Sequence, residues 1–253
     1  MTFTPRGASP TPLPARGFPT TRRSAVAAMR SGSAGERGWA LDAIVSAYWK
    51  PVDKYLRLKW REPHEDARDM TQEFFARAME KRFFEAYDPA RARFRTYVRT
   101  CLDGFVQNER TFARRLKRSP GMELLSLDFE AADGELSRQE IPDAMGLEEC
   151  FRREWIRSLF TGAVEKLRTA CEARGRAAAF RLFEAYDLDE GRASRRYAEL
   201  GRELGLSVSQ VTNALAFARR EFRRLLLEDL RALTGSEREF QEEARALFVA
   251  KDR

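Results

Sequence analysis

Apolar residues recur every three to four positions along most of this 253-residue chain, and no stretch alternates with a period of two. That rhythm predicts an all-α fold, because only a helix brings positions i, i+3, i+4 and i+7 onto one face. With 43% hydrophobic and 34% charged residues, the chain has material for a core and the composition of a soluble globular protein. No apolar run approaches the roughly 18 residues that a membrane span needs, so no membrane partner is expected.

The periodicity divides into two helical sets. A first helix is predicted from about Trp39 to Trp60, with a stripe of Leu41, Ile44, Val45, Tyr48, Val52, Tyr55 and Leu56. Pro51 should bend or split it. Pro63 suits the first turn of a second helix, with Glu65 and Asp66 near its positive end. This helix carries Met70, Phe74, Phe75, Ala78 and Met79 inward. A third helix, about Arg91 to Lys117, places Phe94, Val98, Cys101, Leu102, Phe105, Phe112 and Leu116 on one side. Arg95, Arg99, Arg110, Arg114 and Lys117 gather about 130° away, as a basic ridge that Gly104 could interrupt. The second set is predicted at about 148–173, 176–187, 195–204 and 207–232, with a last helix at 236–250. The expected architecture is therefore two small helical domains, 39–118 and 148–253, joined by a linker at 119–147.

Charge sharpens this division. The net charge is +7, but residues 91–118 hold nine Lys/Arg against two acids, and residues 192–231 hold nine Arg against five. Between them, residues 119–149 hold nine acids and one Arg. Two basic blocks around an acidic linker point to a polyanion with two contact points. The linker itself should stay off nucleic acid. Residues 1–38 have six Arg, one Glu and no apolar period. They read as a disordered basic tail, with a transit peptide or a true start at Met29 as alternatives.

The sharpest local motif spans Tyr197 to Leu215. Leu200 and Leu204 form one inner face, Gly201 permits close approach, and Gly205 suits a left-handed turn. Leu206 plugs that turn and Ser207 is a good N-cap for the next helix. Val211, Leu215, Ala218, Phe222 and Leu226 form the second helix's inner stripe. Ser209, Asn213, Ala216 and Arg220 lie opposite. This is a helix-turn-helix pattern, whose second helix can enter a major groove. Asn suits adenine and Arg suits guanine. Ser209, Gln210, Asn213, Arg219 and Arg220 are the candidate DNA contacts, and Arg223, Arg224 and Arg231 add charge for phosphates. Two ordinary packed helices joined by a glycine turn would carry much of the same pattern.

The run Asp66-Ala-Arg-Asp-Met-Thr-Gln-Glu-Phe-Phe-Ala-Arg-Ala-Met79 resembles the polymerase-binding helix of bacterial sigma factors of the extracytoplasmic-function type. Phe94-Arg-Thr-Tyr-Val-Arg-Thr100 resembles the start of their promoter-melting helix, and Tyr197–Leu226 is similar to their C-terminal −35-reading domain. The resemblance covers about residues 39–232. It implies that Asp66, Asp69, Gln72 and Glu73 bind the clamp of the beta-prime subunit of core RNA polymerase. It also implies that the third helix meets the −10 region, that the second domain reads the −35 element of promoter DNA, and that the linker threads into the polymerase. An anti-sigma protein would be a further partner. Two departures stand out. Leu102-Asp103-Gly104 replaces a common Ala-Arg-Asn, and Thr212-Asn213-Ala214 replaces a usual Lys-Ser-Arg. Phe105-Val-Gln-Asn-Glu109 looks closer to a divergent sigma-like branch.

Other chemistry finds little footing. The cysteines Cys101, Cys150 and Cys171 are scattered and the only histidine is His64, so no zinc pattern fits and a reduced, cytoplasmic chain is expected. Glu148, Glu149 and Glu154 lie close together without paired acids or His on a second helix. No phosphate loop or nucleophile motif appears, so neither an enzyme nor a cofactor is expected. Phe94, Phe105 and Phe112 read as core, which leaves Tyr97 as the candidate base-stacking ring, although it lies about 150° from the basic ridge. The main rival reading is a helix-turn-helix regulator that does not engage polymerase.

Overall fold

The computed structural model describes residues 24–117, 144–189 and 197–249. All regular structure in them is helical: α1 (Ala25–Ser31), α2 (Ala34–Lys59), α3 (His64–Glu80), a 3-10 turn (Phe83–Ala86), α4 (Phe94–Lys117), α5 (Ala144–Ala173), α6 (Ala177–Phe183) with a π turn (Glu184–Leu188), α7 (Tyr197–Leu204), α8 (Val208–Ala232) and α9 (Glu237–Val249). The acidic linker, from 118 to 143, lies outside the described residues.

Local chemistry starts these helices where it should. Ser33 opens α2 with a capping box. Its amide donates to Glu36 Oε2 at 2.7 Å, and its hydroxyl accepts from the Glu36 amide at 3.4 Å. The helix runs unbroken through Pro51, which is buried. Proline removes one hydrogen bond, and the apolar faces on either side hold the helix together across that gap. Gly104 likewise leaves α4 uninterrupted.

The core refines the predicted stripes. Ile44, Tyr48, Val52, Tyr55 and Leu56 are buried in α2, as are Phe74, Phe75 and Ala78 in α3, and Phe94, Val98, Leu102, Phe105 and Val106 in α4. Two residues expected inside are out. Met79 is 51% and Phe112 60% exposed. From Gln107 to Ala113 every residue of α4 but Glu109 is exposed, so its stripe continues past the neighbours that could cover it.

Helices on both sides of the predicted linker share one buried apolar cluster, with members from α1 to α6, α8 and α9. Its centre is aromatic. Tyr48 of α2 stacks 6.1 Å from Trp155 of α5, and Phe151 and Phe94 lie 6.3 and 5.8 Å from the same ring. Farther along α5, Lys166 reaches Asp229 of α8, and Arg174 donates to Glu221 of α8 at 2.8 Å. So α5 serves α2 with its first half and α8 with its second.

The expectation of a disordered tail over residues 1–38 is corrected for residues 24–38, while 1–23 lie outside the described residues. Ala25, Val26, Ala28 and Met29 of α1 are buried. Ser24 Oγ lies 2.8 Å from the Thr234 carbonyl and 3.2 Å from that of Ala232, at the junction of α8 and α9. The composition looked polar, yet four apolar residues suffice to seat the helix against its neighbours. A chain starting at Met29 would lack three of those buried residues.

Because α2 and α5 share their largest side chains, the structure predicts one cooperative unfolding transition. Trp155→Ala should cost about 3–5 kcal/mol and still give a single transition, read by circular dichroism and fluorescence together. Two separated transitions would show that the halves are independent. A second prediction concerns pH. Glu221 accepts from Arg224 at 2.7 Å as well as from Arg174. Arg224 first, then Arg174, pull its carboxyl from 4.5 down to about 2 against the cost of burial. A depressed carboxyl contributes stability above the unfolded value and loses it as pH falls through the folded one. Glu221→Gln should therefore flatten the fall of Tm between about pH 4.5 and 2. An unchanged slope would exclude the bridge.

Candidate functional site

Three surfaces carry the residues singled out by the sequence, and the structure treats them differently. On α3, Asp66, Asp69, Gln72 and Glu73 are all exposed and share one side of the helix, opposite buried Ala67, Thr71, Phe74 and Phe75. Glu73 pairs with Arg77 at 2.6 Å, one turn on. Asp66 and Asp69 make no ion pair or hydrogen bond among the described residues. Such an acidic face can take a basic partner, because exposed carboxylates without internal partners lose no existing bond on docking.

The basic ridge of α4 is not the free surface that the helical wheel suggests. Arg95 is 5% exposed. It donates to Glu243 at 2.9 Å and lies over the Trp155 ring at 5.4 Å. Arg99 pairs with Glu148 at 3.3 Å. Arg110 donates to the Trp60 carbonyl and to Glu62, both at 2.7 Å, and covers the Trp60 ring at 4.8 Å. The Arg114 and Lys117 side chains lie outside the described residues. The wheel separates a basic from an apolar side, but it cannot see that α5 and α9 bring carboxylates to the basic one.

Tyr97 is likewise engaged. Its hydroxyl donates to the Phe83 carbonyl at 2.7 Å, and its ring packs 5.3 Å from Tyr87. Burial, with Cys101 beside it, pushes the phenol up to about 12. It fastens the 3-10 turn to α4 rather than standing free for a base. The unusual Asp103 has a structural role too. It accepts from Lys59 at 2.7 Å, and from Tyr55 and Trp60 at 3.2 Å each, tying α4 to the end of α2.

The α7–α8 segment follows its sequence pattern closely. Gly205 has φ +66°, and the Leu206 amide donates to the Gly201 carbonyl at 2.8 Å. A Cβ on Gly201 would stand 2.5 Å from the Leu206 carbonyl oxygen, so only glycine fits there without a shift. Ser207 and Gln210 form a capping box. The Ser207 amide donates to Gln210 Oε1 at 2.8 Å, and the Gln210 amide to Ser207 Oγ at 3.3 Å. A small cluster of Leu182, Leu200, Val211 and Leu215 packs the two helices together, apart from the main core.

The exposed side of α8 divides by what its residues already do. Gln210 is spent on the cap. Arg219 grips Asp187 of the π turn through Nε and a terminal nitrogen, each at 2.9 Å, and lies over Tyr186. Ser209, Asn213 and Arg220 are exposed and make no side-chain bond among the described residues. Arg223 lies over Phe248 at 4.4 Å, and Arg224 is held by Glu221 and Glu228.

One cluster was not found from sequence. Glu239 and Glu243 of α9 are 7% and 2% exposed, and both meet the start of α4. Glu239 accepts from the Phe94 amide and the Gly235 amide at 2.8 Å each, and from the Tyr87 hydroxyl at 3.3 Å. Glu243 takes Arg95 and, at 3.1 Å, Arg93, which also reaches Glu242 at 2.8 Å. Burial is the main influence on Glu239, raising its carboxyl above the ordinary range against those three donors. Spacing of Glu239, Glu242 and Glu243 on one side of α9 was visible in the sequence. Their partners, some 145 to 150 residues away, were not.

Among the described residues no group of three or more His, Cys, Asp or Glu could hold a metal, and no helix is long and apolar enough to cross a membrane. The three cysteines are free thiols. Compared with protein-family models, with curated proteins and with solved structures, the chain matches none.

The α7–α8 geometry predicts a contrast between neighbouring serines. Ser207→Ala removes a cap and should cost about 1 kcal/mol, whereas Ser209→Ala, on the free face, should leave stability unchanged. Urea denaturation of both variants checks this, and equal losses would contradict the capping role.

Proposed function

We propose that this chain is a sigma-type transcription initiation factor, which brings core RNA polymerase to promoter DNA in the cytoplasm and is not itself an enzyme. The observation that carries the reading is the first half of α8. A glycine turn and a capping box aim it, a small core of its own supports it, and Ser209, Asn213 and Arg220 remain uncommitted on its outer face. In this reading α7 and α8 are a helix-turn-helix, and those three side chains reach base edges in the major groove. Gln210 and Arg219 are positioning residues, since one caps α8 and the other binds the π turn. A phosphate contact falls to Arg202, exposed on α7 of the same unit.

The acidic side of α3 supplies the second half of the function. Asp66 and Asp69, exposed and unpaired among the described residues, with Gln72 and Glu73 beside them, fit a basic groove on the polymerase clamp. One finding favours the rival regulator that works without polymerase. Arg95 and Arg99, the residues expected to meet the −10 region, are held internally.

Polymerase retention separates the two readings. Asp69→Arg should fold normally, by circular dichroism, and lose core polymerase in a pull-down, because reversing a contacting charge costs several kcal/mol. Full retention by the Asp69→Arg/Glu73→Arg double variant would leave the regulator. A binding selection on the whole chain tests the α8 face. Asn213→Ala and Arg220→Ala should each relax one position of the selected sequence, at about 1–3 kcal/mol per lost base contact. Identical enrichment by wild type and double variant would put the reading face elsewhere.

A further inference from the structure

We propose that Arg176 and Arg223 grip the phosphate backbone of duplex DNA on either side of α8, each held ready by an aromatic ring. The proposal rests on the reading of α7 and α8 as a helix-turn-helix and adds the residues that fix the duplex against it. The two arginines differ from their neighbours in what holds them. Arg174 and Arg224 pair with Glu221, Arg224 also with Glu228, and Arg219 with Asp187. Arg176 and Arg223 are exposed and make no ion pair or side-chain hydrogen bond among the described residues. Each lies over a ring instead. Arg176 is 4.3 Å from the centre of Phe217, and Arg223 is 4.4 Å from that of Phe248. Both rings pack, half-buried, against the main core. A ring attracts a guanidinium without cancelling its charge. The N–H groups along the guanidinium edge stay free to donate. Such a fork of donors, positioned and uncompensated, matches a phosphate, which accepts two of them side by side.

Placement agrees with that ligand. Phe217 precedes Arg220 by three residues and Arg223 follows it by three. At about 100° per residue they lie roughly 60° to either side of the stripe of Ser209, Asn213 and Arg220. Along the helix axis they are about 9 Å apart. A major groove is about 12 Å wide and has a phosphate strand along each border. With α8 in the groove, one guanidinium therefore faces each strand. Each contact also ties α8 to another element, since Arg176 belongs to the α5–α6 turn and Phe248 to α9. That turn is fixed by its backbone. Gly175 has φ +64°, and the Arg176 amide donates to the Cys171 carbonyl at 2.8 Å, which closes α5 and sets Arg176 beside α8.

Fluorescence anisotropy of the whole chain tests this, with a labelled duplex of mixed sequence and a series of salt concentrations. Arg176→Ala and Arg223→Ala should each lower the slope of log affinity against log salt by about 0.9, and the pair by about 1.8. At about 0.1 M salt that is roughly an eightfold weakening for each. Arg153→Ala makes the same change of charge on an exposed part of α5, roughly 30 Å along that helix from Arg174, and should leave the slope as it is. In a Phe217→Leu chain the ring is gone, and the further effect of Arg176→Ala should shrink below about threefold, because contacting residues are coupled. The sequence recovered by the binding selection should be the same for Arg176→Ala as for wild type, since a phosphate contact carries no base information. Unchanged slopes in Arg176→Ala and Arg223→Ala chains with wild-type circular dichroism would overturn the proposal. So would an equal loss in Arg153→Ala, a full Arg176→Ala effect without the Phe217 ring, or a relaxed base position. A wild-type chain that binds no duplex at any salt concentration would defeat the helix-turn-helix reading itself, and these contacts with it.

Discussion

The seam between α2 and α5 is where the molecule is made, and the stacking of Tyr48 on Trp155 is its centre. Aromatic pairs of this size exclude water over a large area and accept few geometries. Once the two rings are set, Phe94 and Phe151 have one place each against Tyr48. The start of α4 is thereby fixed, and Arg95 is drawn under Trp155. A guanidinium buried there needs a carboxylate, and α9 supplies it. The position of the last helix thus follows from a ring pair more than 80 residues before it.

A second constraint is the double duty of α8. Its first turns pack with α7 and α6 in a small separate cluster, while Leu225, Leu226 and Leu230 enter the main core. One rigid helix therefore carries a lightly supported, exposed face at one end and a deeply buried anchor at the other. Contacts that must exchange partners are best placed on the less stable part of a fold. The small cluster, the free Ser209, Asn213 and Arg220, and the Arg219 grip on the π turn meet that requirement without loosening the core.

Basic residues are plentiful, but among the described side chains most of those on α4 and α8 are engaged by acids or rings of this same chain. Their net contribution to affinity for a polyanion depends on what must be broken first. On α3 the balance is reversed, with Asp66 and Asp69 held by nothing among the described residues.

Sequence alone determined the helical class, the helix ends at Lys117, Ala173, Leu204 and Ala232, and the Gly205 turn with its Ser207 cap, but not α1, the starts of α2 and α5, or the part Gln210 takes in the cap. The legible features arise from interactions within a few residues: the 3.6-residue period, the left-handed Gly205, the Ser207 cap. It also placed the acidic residues of α3 on an outward side, since burial of Phe74 and Phe75 fixes what lies opposite. Only tertiary structure decided which charges are available. Arg95 and Arg110 lie on the same basic side of the wheel, about 60° apart, yet one is buried against Glu243 and the other clasps the α2–α3 loop. The same holds for Phe112, apolar but uncovered, and for the short α1, polar in its surroundings but buried. A helical wheel describes one helix in isolation. Whether a side chain meets water, a ring or a carboxylate depends on residues far away in sequence, 50 positions for Arg110 and 148 for Arg95, and that pairing is set by how the helices pack.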